Sequence, residues 1–187
     1  MRNRSKIHQT VHTSMVLSVI LGILVGAIGV VFCKPLIILM GSPADILDKA
    51  ALYVRIYFLG MPGFMVFNFG AAILRSAGDT KRPLAILAFS GLVNVVLNLI
   101  FIIIFKMDVA GVATATIISQ YISAIWVVVI LIKENADYKL SIKKLRVYKN
   151  ELLQIISYGL PTGIQSSCFS ISNVIIQSSV NSFGTLI

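Results

Sequence analysis

Residues 83–105 read PLAILAFSGLVNVVLNLIFIIIF, 23 residues without a charge and with two amides, Asn94 and Asn98. About 20 apolar residues suffice for a helix to cross a bilayer, and a helix of this length reaches roughly 34 Å. Four residues apart, Asn94 and Asn98 share one helix face. An amide in hydrocarbon costs a few kcal/mol, on the order of 2–7, unless it finds partners. That face is therefore expected to turn toward other helices or a wet cavity. Two readings stay open: interhelical hydrogen bonding, worth about 0.6 kcal/mol a pair, or a polar site for an ion, a proton or a substrate.

The rest of the chain repeats the pattern. Of its 187 residues 57% are hydrophobic and 12% charged, about half the charged share of a soluble domain. The fold class is an all-α integral membrane protein, a multi-span helical bundle. Spans are expected at about 10–33, 53–74, 83–105 and 109–132, with a fifth helix in 151–187. Gly22, Gly26 and Gly29 give the first span a small-residue face for close helix contact. Lys34-Pro35 is expected to end that span, because proline cannot continue the ladder. Gly60, Pro62 and Gly63 should kink the second. Small residues from Ala110 to Thr116 suit the fourth to tight packing.

The net charge of +9 lies almost wholly between the apolar runs, which argues for membrane orientation rather than nucleic acid. Twelve of the sixteen Lys and Arg fall in 1–8, 75–82 and 133–149. This bias puts the amino terminus and a linker at 133–150 in the cytoplasm. The linker's Leu140, Ile142, Leu145 and Val147 suggest an amphipathic stretch lying on the membrane. No signal peptide is expected.

No Walker loop, nucleophile elbow or paired carboxylates are present, so no enzyme is expected. Cys33 and Cys168 form no motif, and His8 and His12 lack further ligands, so no metal site is expected. The last segment carries Gln165, Asn173, Gln177 and Asn181 at multiples of four, with Ser166 and Ser170 one step around. A four-residue step drifts only about 40° on a helix, so they form one polar stripe, read as lining a hydrated substrate cavity.

Five stretches carry a family resemblance: HQTVHT at 8–13, LRSAGDTKRP at 74–83, NVVLN at 94–98, VAGVATAT at 109–116 and GLPTGIQ at 159–165. Together they resemble the multidrug and toxic compound extrusion (MATE) transporters. The resemblance implies two six-helix lobes. Residues 1–132 would be a partial N-terminal lobe with its helices three to six, and 151–187 the truncated first helix of the C-terminal lobe. The chain would then be a fragment whose partners are the bilayer, the missing remainder of the transporter, and small organic, cationic substrates. The implied activity is antiport at the cell membrane by alternating access, with H+ or Na+ as coupling ion and no other cofactor. The family's first-lobe cation site combines an acid on helix one, an Asn and an Asp four apart, and a Thr. Asn94 and Thr116 match; Asn98, which cannot ionise, stands at the Asp, and Phe169 at a Glu that some members carry. A flippase of lipid-linked precursors and an inactive fragment are the alternative readings.

Overall fold

The computed structural model describes residues 4–39 and 47–183. Among these, six α-helices and no strand are found: α1 (Arg4–Leu39), α2 (Leu47–Leu59), α3 (Met61–Ser76), α4 (Lys81–Leu99), α5 (Val109–Lys133) and α6 (Lys149–Phe183). The chain divides after Val147, so that α1–α5 and the linker form one unit and α6 belongs to another. In the first unit α1, α4 and α5 are long and apolar enough to cross a membrane, and α2 with α3, bent by 44° at their break, passes the same test only if the pair is taken as one span. The Ser, Gln and Asn residues of α6 dilute its apolar character. Among the described residues α6 is not counted with the helices long and apolar enough to cross.

Packing follows the small residues. A Cβ at Gly22 would stand 2.6 Å from Pro62 Cα, and one at Gly26 2.9 Å from Phe58 O. A side chain at Gly29 would run into the Phe58 ring. The glycine face of α1 thus seats the break between α2 and α3. Pro62 lacks the N–H that a straight helix would need there, and the Tyr121 hydroxyl donates to Leu59 O at 3.0 Å. A neighbouring helix thereby satisfies a backbone group at the break. On the other side of α3, Gly63 lies against Tyr121 and Gly70 against Val127.

Two expectations are corrected. Pro35 does not break the helix, since α1 runs through it to Leu39, although the stretch apolar enough to cross a membrane, Ser5–Pro35, ends there as expected. Cys33 and Ile37, four apart and on either side of Pro35, are both buried, so packing holds the turn that has lost one hydrogen bond. The third span does not keep α-helical form to its end: Ile100–Ile104 is a π-helical turn, followed by Lys106 at φ 49°. Between Glu134 and Tyr148 the linker is mostly irregular. Only Ile142–Lys144 is helical, a short 3-10 turn, and Leu140 is buried with its N–H on Leu131 O at 2.9 Å.

What holds the linker is His12, buried on α1. Its Nδ1 lies 2.8 Å from the His8 carbonyl, which can only accept, so Nδ1 carries the proton. Nε2 lies against the Ser141 backbone, 3.1 Å from its N–H, which it accepts in this tautomer, and 3.2 Å from its carbonyl oxygen. The same end of the bundle holds the apolar core of Val11, Met15, Phe67, Leu74, Ile86, Val127 and Leu131. The α3–α4 loop closes it. Gly78 supplies φ 90°, Asp79 N–H reaches back to Leu74 O, and Asp79 Oδ1 accepts from Arg82 N–H at 3.1 Å. Arg82 also binds Asp79 Oδ2 through Nε and, at 2.7 Å through Nη1, Glu134 Oε2 just past α5. That hydrogen bond is the first cause holding the Glu134 carboxyl below its ordinary pKa.

Candidate functional site

In the C-terminal third of α4, Asn94 and Asn98 meet α5. Asn94 Nδ2 lies 3.4 Å from both Thr116 Oγ1 and Ser119 Oγ. Asn98 Nδ2 donates to Asn94 Oδ1 at 3.1 Å. The structure therefore brings Asn94, Asn98 and Thr116 into one cluster, all three half-buried. The i,i+4 spacing stacks the two amides, and the small residues of α5 let its hydroxyls approach them.

The hydroxyls on α5 spend their hydrogens locally. Thr116 Oγ1 donates to Val112 O at 3.0 Å, and Ser119 Oγ to Thr116 O at 2.8 Å. Their lone pairs are what face Asn94. The hydrogen bonds across the helices are long, beyond the usual 2.7–3.2 Å for N–H···O. Asn98 Oδ1 is buried without a hydrogen-bond partner. A buried carbonyl oxygen left unpaired costs about 1–3 kcal/mol, a cost that something accepted by this oxygen would remove. The cluster's oxygens are neutral. They can coordinate a hard cation or accept from a donor, but none of them takes up a proton near neutral pH.

Sequence reading missed the neighbouring polar residues. Ser119 belongs also to a cavity of about 270 Å³ that Asn68, Arg75, Ser90, Gln120 and Ser123 help to line. Gln120 Oε1 is a second buried oxygen without a hydrogen-bond partner. It lies where a Cβ at Gly60, the break between α2 and α3, would meet it. The signal was present: Thr116, Ser119, Gln120 and Ser123 recur at three- and four-residue steps along α5. The small residues at its start were read for packing, and the hydroxyls after them were passed over.

The polar stripe lies on α6, in the second unit. Gln165 and Asn173 are exposed there, as is Phe169. The side chains of Gln177 and Asn181 lie outside the described residues. Ser170 Oγ bonds back to Ser166 O at 3.0 Å, within its own helix.

With this geometry in hand, comparison with known proteins is informative. The sequence model of the family described as MatE matches residues 1–100. The chain is 33% identical over 159 residues to the "Probable multidrug resistance protein YpnP" of Bacillus subtilis (strain 168), covering 85% of this chain and 35% of that protein. It is 28% identical to the "Probable multidrug resistance protein YoeA" of the same organism, covering 98% of this chain and 41% of that one. Among solved structures, one described as the outward-facing conformation of a multidrug resistance MATE family transporter of the MOP superfamily is similar with a TM-score of 0.83 and 25% identity. That match covers 94% of this chain and 40% of the other. The chain thus spans well under half the length of the relatives it matches.

Proposed function

The chain belongs to the MATE family, and from that premise we propose that it is the part of a multidrug export transporter that holds a first-lobe cation site. Asn94, Asn98 and Thr116 form that site. The transporter moves organic, cationic compounds outward in exchange for H+ or Na+, by alternating access in the cell membrane, with the 133–150 linker on the cytoplasmic side. The observation that carries this reading is the unpaired Asn98 Oδ1, a buried acceptor on the amide that donates to Asn94, whose own Nδ2 faces the Thr116 and Ser119 hydroxyls. A cluster meant only to join helices would pair that oxygen. The cluster has no carboxylate of its own, so the charge that balances a bound ion comes from an acid elsewhere in the transporter, as the family resemblance implies for helix one. The stripe of Gln165, Asn173, Gln177 and Asn181 lines the substrate cavity in this reading.

The test is Asn98→Asp in the transporter that carries this segment. The carboxylate adds a titratable group and a stronger Na+ ligand, so efflux normalised to membrane protein should change its dependence on pH or Na+. An unaltered ion dependence, with efflux retained, overturns the site.

A further inference from the structure

Beyond its two anchors at Leu140 and Ser141, the linker leaves apolar side chains uncovered. Ile142 and Leu145 are 61% and 42% exposed. With Leu140 they form one wall of a groove of about 400 Å³, whose opposite wall includes Met15 and Val19 of α1 and Val66 of α3. Every residue lining it is apolar. Basic residues alternate with this wall in sequence: residues 139–147 hold Lys139, Lys143, Lys144 and Arg146, all exposed, and no acid. The nearby Glu134 is engaged by Arg82.

An apolar slot whose linker wall is interleaved in sequence with four exposed cations suits an amphiphile with a negative head. We propose that it binds an anionic phospholipid, one acyl chain lying in the groove and the phosphate headgroup held by Lys139, Lys143, Lys144 and Arg146. Charge complementarity favours this occupant over a zwitterionic lipid, because each basic residue at the surface attracts anionic headgroups. Arg146 adds a planar fork that matches phosphate oxygens. The inference needs neither the cargo nor the Asn98 site, and it holds whichever leaflet the linker faces.

Native mass spectrometry of the delipidated chain tests it, with phosphatidylglycerol and phosphatidylcholine added in parallel. Phosphatidylglycerol should be retained preferentially. Removing cations one by one from K143Q to K139Q/K143Q/K144Q/R146Q should lower that preference by roughly fivefold each. V19W, which fills the groove, should lower retention of both lipids, and circular dichroism reports whether each variant keeps its helices. Should the quadruple variant fail to fold, K143Q/K144Q carries the test, with K143R/K144R expected to retain the preference. Equal retention of the two lipids, or a preference that the Gln variants leave unchanged, overturns the proposal. So does displacement of phosphatidylglycerol by inorganic phosphate, which would show a headgroup site without the groove.

Discussion

The linker end of the bundle and the place where Asn94 and Asn98 of α4 meet α5 use polar groups in opposite ways. At the linker end the hydrogen bonds are short and each has a clear duty. His12 closes a relay from His8 O to Ser141 N–H at 2.8 and 3.1 Å, and Arg82 joins Asp79 to Glu134 at 3.1 and 2.7 Å. On α4 and α5, Asn94 reaches two hydroxyls at 3.4 Å each, and Asn98 Oδ1 and Gln120 Oε1 find no partner. Polar residues that fasten a fold end up satisfied; these amides are held in place but left incomplete. The difference separates scaffold from site.

The strongest way to break this comparison is His12→Ala. It strips the acceptor from the Ser141 N–H, and an orphaned group of this kind costs about 1–3 kcal/mol. The thermal midpoint of the detergent-solubilised chain should fall, and trypsin should cut faster at Lys143 and Lys144 as the linker comes loose. Unchanged melting and proteolysis would mean that the linker end is not fastened as described. Gly78→Ala comes next. Nothing lies within 4 Å of the added Cβ, so the cost is the left-handed backbone alone, about 1–2 kcal/mol, again visible in the melting midpoint.

Acid should act on the same end more gently. Hydrogen bonding to Arg82 holds the Glu134 carboxyl below its ordinary value. A depressed carboxylate stabilises the fold above its unfolded pKa, near 4.3, and that contribution is lost as pH falls through the folded value. Melting measured from pH 8 downward should therefore show no loss from this pair until below roughly pH 4.5. In Glu134→Gln that acid-dependent step should shrink.

Three of the spans, the glycine face of α1 and the pairing of Asn94 with Asn98 were legible in the sequence, because each depends on spacing along one helix. The continuation of the helix past Pro35 was not legible, because it depends on tertiary burial of Cys33 and Ile37, which a local rule for proline does not contain. How the linker is fastened was not legible for a similar reason: its anchor, His12, lies 129 residues away. Ser119 and Gln120 went unnoticed since a hydroxyl or amide on a small-residue helix looks the same in sequence whether it packs or faces a cavity. Only the unpaired oxygens distinguish the two.

The most direct measurement is Asn98→Ala, scored for stability and for transport in the same membrane preparation of the transporter that carries this segment. The substitution removes one orphaned oxygen and frees Asn94 Oδ1, so the two changes nearly offset and stability should move by less than about 1 kcal/mol. Loss of a neutral ligand should weaken ion-coupled efflux by up to roughly tenfold, after normalisation to membrane protein, and alter its ion dependence. A melting point and membrane abundance that fall in step with efflux, with ion dependence unchanged, would make Asn98 a helix-joining residue and contradict the account.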